Sequence, residues 1–353
     1  MTPEGGFGID GARSAPTSDA APRRLGIVVA VRNEARWLGE LLASLKEQQG
    51  LESVCRIAAV DGRSEDGSRR ILEDWIPQLP MLRVLDNEAR IAPTAFNIGI
   101  RDCLSAGADA VLLVSGHGAL HRGYIQGLYE TFTATKAAIV GCVHDYPPAI
   151  SGFERGSQAF AESRLGRRLG TFSRLTSPRE TGIAFCPTIR REVFDRVGLF
   201  DETMVRNQDI DFTTRARNAG FRIVTAPKLK TRYSPPTSFG RLLRQMYGNG
   251  VWVGRRLDAH GLRHLAPSIF YLGLAGMGIL ALLLRGAWVW PFTILGGAYL
   301  LAVLATTIAW LPEAGGGALW LPPILLGAHG AYAVGTFRGL MGGGQPSRAP
   351  ARR

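Results

Sequence analysis

Leu25-Gly26-Ile27-Val28-Val29-Ala30-Val31-Arg32-Asn33-Glu34 is where an ordered pattern begins in this 353-residue chain. The unbroken apolar, β-branched run over 25–31 reads as a strand buried on both faces, because a half-exposed strand would alternate polar with apolar. A polar triplet ends it. Over 34–49, Trp37, Leu38, Leu41, Leu42 and Leu45 then recur at helical spacing. The alternation repeats with a strand over 54–60, a helix over 66–76, a short strand over 82–85, a helix over 93–104 and a strand over 110–114. It predicts an α/β fold, with a mostly parallel sheet and crossover helices on its faces. Ligands in such sheets bind beyond the carboxyl ends of the strands. The informative residues are therefore Arg32-Asn33-Glu34, Asp61-Gly62-Arg63-Ser64 and Ser115-Gly116-His117.

Outside this block the chain changes character. A further strand is expected over 138–143. An Arg- and Gly-rich stretch over 144–179 reads as a mobile loop over the site. A helix near 191–197, an acidic segment over 201–211, an amphipathic run over 212–219 and a short strand over 222–226 follow. Residues 1–24 are Gly-, Ala-, Pro- and Ser-rich without an apolar core; they read as disordered rather than as a secretory signal, so the folded part is expected to stay in the cytoplasm. From residue 265, apolar segments over 265–284, 288–311 and 319–337 each approach the roughly 20 residues that span a bilayer. Trp288, Trp290, Trp310 and Trp320 sit at their ends as interfacial anchors do. A multi-pass cell-membrane anchor is expected, a buried soluble bundle being the alternative; charge counting leaves the number of full spans open.

The formal net charge of +12 invites a nucleic-acid partner. Much of the excess, however, sits at Arg241, Arg244, Arg255, Arg256 and Arg263, just ahead of the first apolar segment. That placement suits anionic headgroups, and no nucleic-acid-binding motif accompanies it. Cys55, Cys103, Cys142 and Cys186 have no metal-ligand spacing and read as buried thiols. The chain thus divides into a tail (1–24), an α/β domain (25–237), a basic interfacial helix region (238–264), transmembrane helices (265–340) and a second tail (341–353).

Val29-Ala30-Val31-Arg32-Asn33-Glu34, followed by Val60-Asp61-Gly62-Arg63-Ser64-Glu65-Asp66-Gly67-Ser68, resembles the opening motifs of family 2 glycosyltransferases of the GT-A fold. Arg90 to Arg101 is similar to the next block of the subgroup that makes bacterial exopolysaccharides such as succinoglycan. Arg191-Glu192-Val193-Phe194, Gly198-Leu199-Phe200-Asp201-Glu202, Asn207-Gln208-Asp209, Arg215 to Gly220 and the last span extend the likeness over residues 25–340. The resemblance implies an inverting transfer from a nucleoside-diphosphate sugar, a UDP-sugar foremost, to a lipid-linked glycan acceptor in polysaccharide biosynthesis. It implies Asp209 as catalytic base, Glu34 and Asp61 on the ribose and base of the donor, Arg90 and Asn97 lining the donor side, and Gln245 near the diphosphate and acceptor.

Three positions depart from the family pattern. Ser115-Gly116-His117 stands where an Asp-x-Asp or Asp-x-His is expected. His117 then keeps the metal position, for Mn²⁺ or Mg²⁺, without the carboxylate that a hard cation prefers. Gln208 replaces a Glu before the catalytic aspartate, and Gly248 replaces an Arg three residues after Gln245; Arg241, Arg244 or Arg255 are the candidates to neutralise diphosphate instead. Two rivals stand beside the enzyme: a non-catalytic nucleotide-sugar-binding membrane subunit, which Ser115 would suit, and a small transporter, which the near absence of charge in the spans argues against.

Overall fold

The computed structural model describes residues 20–166, 175–233, 235–257, 262–284 and 289–342. The expected alternation is present as β1 (Leu25–Val31), α1 (Ala35–Lys46), β2 (Val54–Asp61), α2 (Ser68–Trp75), β3 (Leu82–Asp86), α3 (Ala92–Ser105) and β4 (Ala110–Ser115). These strands are parallel in the order β3-β2-β1-β4. Ile27, Val28 and Val29 are 0% exposed, as a run covered on both faces requires. The register sets Val31 beside Asp61 and Ala30 beside Ser115, so the three polar strand-end motifs open on one edge of the sheet.

The second half is less regular: β5 (Ala119–Leu120), α4 (Tyr124–Thr135), β6 (Ile139–Asp145), α5 (Gly152–Glu162), β7 (Arg179–Glu180), β8 (Phe185–Arg190), α6 (Arg191–Val197), α7 (Gln208–Asn218) and β9 (Ile223–Arg232). The sheet continues as β4-β8-β6-β9-β5, with β7 on β9. Because β8 runs antiparallel to both β4 and β6, the whole is a mixed sheet. β9 extends past residue 226 because its far end pairs with β5 and with the end of β6.

Two local expectations are corrected. The stretch over 144–179 is not one loop but carries α5, started by a capping box: Ser151 Oγ accepts from Glu154 N at 3.1 Å, and the Glu154 carboxylate accepts from Ser151 N at 3.3 Å. Residues 20–24, expected within the disordered tail, are tied down. The Arg23 and Arg24 amides both donate to Asp109 Oδ2 at 3.0 Å, and Arg190 Nη1 donates to Ala20 O at 2.8 Å. The disorder expected for 1–19 lies outside the described residues.

Beyond the sheet come α8 (Phe239–Arg255), α9 (Ala266–Leu284), α10 (Val289–Ala314), a 3-10 turn (Gly315–Trp320) and α11 (Leu321–Met341). Two stretches, Ala266–Leu284 and Val289–Met341, are long and apolar enough to cross a membrane. Core helices of a soluble domain would be covered, yet Leu282 is 79% and Leu301 67% exposed. Both stretches are candidate membrane spans.

The α/β domain reaches these helices through two glycine contacts. Gly250 and Gly254 of α8 face Gly335 and Gly339 of α11, each pair at the four-residue spacing that leaves one helix face bare. A Cβ at Gly254 would lie 2.2 Å from Thr336 O, and one at Gly339 2.2 Å from Val251 O. On α5, a Cβ at Gly156 would lie 2.6 Å from Trp320 Cβ, while Phe153 meets the Trp320 ring edge-on at 5.5 Å. A third hydrophobic core, with Phe160, Leu242, Met246, Leu321 and Ile324 among its members, fills the junction.

Candidate active site

The loops after β1 and β2 are stitched to each other. Asn33 takes a left-handed backbone (φ 57°), which its short amide tolerates. Its N–H donates to Ser64 Oγ at 2.9 Å, and its Oδ1 accepts from Glu65 N at 2.8 Å. Glu34 N donates to Ser68 Oγ at 2.8 Å and Ala35 N to Asp66 Oδ2 at 3.0 Å. Asp66 also accepts from Ser68 N and Ser68 Oγ, so one carboxylate serves the starts of both α1 and α2. Burial pushes its pKa up, but the bonds from Ser68 and Ala35 prevail and hold it below the ordinary value. Asp61, 4% exposed, accepts from Ser64 Oγ at 2.5 Å.

Glu34 reaches over the end of β4, where its Oε1 lies 2.9 Å from His117 Nδ1. Gly116 gives them room, because a Cβ there would sit 3.0 Å from Glu34 Cγ and 3.3 Å from Ala30 O, a tight approach that the Glu34 side chain would have to yield to. The bond from Glu34 raises the His117 pKa above its ordinary value, against the lowering by burial.

A cavity of about 460 Å³ opens here. Its wall includes Ser115 and His117 beyond β4, Arg206 and Asp209, Tyr233 after β9, and Asn249 of α8. Asp209 lies in the first turn of α7, directly after Asn207, whose backbone is left-handed (φ 60°). Opposite, His144 stacks on Tyr233 with ring centroids 4.5 Å apart and tilts against Phe185 at 4.6 Å, forming an aromatic face. Arg256, just past α8, ties the helices together: it bonds Asp201 at 3.0 Å and approaches Asp211 of α7 at 3.6 Å.

Of the residues singled out from sequence, Ser115, His117, Gln208 and Asp209 share this wall, and Glu34 joins it through His117. Asp61 stands at the same sheet edge but off the wall, and Arg90 and Asn97 are off the wall as well. Arg90 has a left-handed backbone (φ 60°) and its carbonyl accepts from Arg32 Nη1 at 2.8 Å. Asn97 is 1% exposed and its amide is spent within the protein: it donates to Phe200 O at 2.9 Å and Glu202 Oε1 at 2.8 Å, and accepts from Phe200 N at 2.9 Å. In this structure it clamps α3 to the 200–202 segment. Gln245 is half-buried on α8, one turn before Asn249.

Arg241, Arg244 and Arg255 are absent from the wall, and the Arg255 guanidinium lies over the Trp252 ring at 5.5 Å. The arginines that do line it, Arg206 and Arg232, carried no sequence signal. Of the four cysteines expected as buried thiols, Cys103 and Cys142 are buried, whereas Cys55 and Cys186 are half-buried and Cys186 also faces the cavity.

Among the described residues no three His, Cys, Asp or Glu side chains converge as a metal site. The end of β4 offers a hydroxyl, and an imidazole whose Nδ1 already faces Glu34. This donor set fits Mg²⁺ badly and Mn²⁺ only moderately.

The family model described as Glycosyl transferase family 2 matches residues 26–198. Over 276 residues the chain is 28% identical to the succinoglycan biosynthesis protein ExoA of Rhizobium meliloti (strain 1021), covering 74% of this chain and 81% of that one. It is 25% identical to the glycosyltransferase AglE of Haloferax volcanii, covering 68% and 77% of the two chains. Among solved structures, the mannosyltransferase PcManGT from Pyrobaculum calidifontis in complex with GDP-Man and Mn²⁺ matches with a TM-score of 0.60 at 20% identity, over 92% of this chain and 89% of that one. That likeness establishes a GT-A-like sheet with flanking helices. The stitched strand ends, the cavity and these relatives agree: the chain is a glycosyltransferase that carries a Glycosyl transferase family 2 domain at residues 26–198.

Proposed function

We propose that this enzyme is an inverting transferase that moves a sugar from a nucleoside-diphosphate donor, UDP-sugars foremost, to a lipid-linked glycan in polysaccharide biosynthesis. The observation that carries the reading is Asp209, on the wall of a cavity shared by the sheet end and α8, the helix packed along the apolar α11. In the transfer, the acceptor oxygen attacks the anomeric carbon while the bond to the diphosphate breaks on the opposite face. The Asp209 carboxylate takes the acceptor proton, and the diphosphate leaves with the electron pair of the broken bond.

Glu34 and Asp61 serve the donor ribose and base from the ends of β1 and β2, with Arg90 alongside. Their loops are rigid because each is hydrogen-bonded to the other, which reduces the ordering cost of binding. Gln245 serves the acceptor side from α8. A multi-pass anchor in the cell membrane, with the α/β domain on the cytoplasmic face, would hold enzyme and lipid-linked acceptor in one plane and raise their effective concentration.

The test is Asp209→Asn in detergent-purified protein, with labelled nucleotide sugars and a membrane lipid extract as acceptor. Transfer should fall by roughly 10²- to 10⁴-fold while donor binding stays within about twofold. Unchanged turnover would remove Asp209 as the base.

A further inference from the structure

Gly248 leaves α8 without a side chain on its turn beside the cavity. A Cβ built there would meet Arg206 Nε at 3.1 Å, with Arg206 Cδ and Cζ at 3.5 Å. The guanidinium of a different segment therefore lies along the bare helix backbone, in the space that a side chain at 248 would claim. Arg206 is itself exposed and lines the cavity together with Asp209 and Asn249. Between Arg206 and α7 the chain turns through the left-handed Asn207, so an arginine and an aspartate three residues apart both reach one wall.

The end of β4 supplies no carboxylate of its own for a hard cation, as Ser115 and His117 stand there, and Glu34, which reaches over it, already faces His117 Nδ1. A departing diphosphate nevertheless needs positive charge beside it. The planar guanidinium fork matches paired phosphate oxygens and stays charged at every working pH.

We propose that Arg206 is the diphosphate-binding residue of this enzyme, admitted to the cavity by the missing side chain at Gly248. The inference rests on the nucleoside-diphosphate reading above and adds the residue that distinguishes a diphosphate from a monophosphate. Arg206 takes the charge of the leaving group while Asp209 takes the proton of the acceptor, and the two lie on the same segment.

The experiment titrates UDP, UMP, GDP and GMP into the full-length protein in detergent, comparing wild type, Arg206→Ala and the double variant Arg206→Ala/Gly248→Arg. Arg206→Ala should weaken diphosphate binding by roughly 10- to 100-fold and leave monophosphate binding within about twofold. Gly248→Arg in that background should restore part of the diphosphate preference, because it returns a guanidinium to the same space from the helix side. Equal losses for mono- and diphosphates, or no loss at all, overturn the assignment. A preference that stays lost in the double variant overturns the shared position. If wild type binds none of the four nucleotides, the donor reading itself falls, and that outcome is distinct from a failure of Arg206 alone.

Discussion

Around β1, contact is made by side chains: Ile27, Val28 and Val29 are wholly covered by neighbours contributed from α1, α3 and the flanking strands, and even Gly26 and Gly99 there admit the side chains of Cys103 and Val28 rather than backbone. Between α8 and α11, contact is made by leaving side chains out, and Gly250, Gly254, Gly335 and Gly339 let backbone meet backbone. The first kind of packing accepts exchanges that conserve volume. The second accepts almost none, because a carbonyl on a helix cannot swing aside as the end of a side chain can. The cavity lies where these two kinds of packing meet, with Ser115 and His117 from the sheet and Asn249 from α8.

The largest effect should come from forcing volume into the second region. Gly254→Leu would place its Cβ 2.2 Å from Thr336 O, and we expect it to cost about 3 kcal/mol or more, read as thermal unfolding in detergent. Leu42→Met in α1 should cost under about 1.5 kcal/mol. Equal losses at the two positions would erase the contrast.

Asn97→Ala sharpens the comparison from within the first region. The buried amide holds Phe200 and Glu202, so about 2–3 kcal/mol of stability should go with donor affinity little changed. A fall in affinity at constant stability would instead give Asn97 its donor-lining role.

Asp66→Ala should cost about 1 kcal/mol near neutral pH, the usual size of a lost helix cap. Because the folded pKa of Asp66 lies below its ordinary 3.8, its contribution is present above that value and fades as pH falls through the lower folded pKa. Unfolding curves of wild type and variant should therefore converge in acid, and a gap independent of pH would argue against the charged cap.

The smallest effect carries the opposite sign. Gly39, in mid-α1, has nothing within 4 Å of a built Cβ. Gly39→Ala should stabilise by about 0.5–1 kcal/mol, whereas any side chain at Gly254 destabilises.

Much of the first region was legible before any coordinates, since periodicity and strand-end polarity are local properties of the chain. Ser151-Gly152-Phe153-Glu154 also carried a legible helix start, hidden by the Arg- and Gly-rich sequence around it. The pairings of β5 and β7 are two residues long, and β8 contains Pro187 without clear alternation, so only their neighbours define them as strands. Asp209 was marked by motif resemblance, whereas Arg206 and Asn249 had no motif to mark them.

What the amino-acid order determined alone was therefore the parallel block, the apolar stretches and the chemistry gathered at the strand ends, because hydrophobic spacing acts over a few residues. What tertiary structure decided was which arginines line the cavity, which glycines allow α8 and α11 to touch, and that Asn97 clamps a segment a hundred residues away. Each of these depends on what stands opposite a residue in space, and a bare backbone position such as Gly248 acquires its meaning only when Arg206 is seen lying against it.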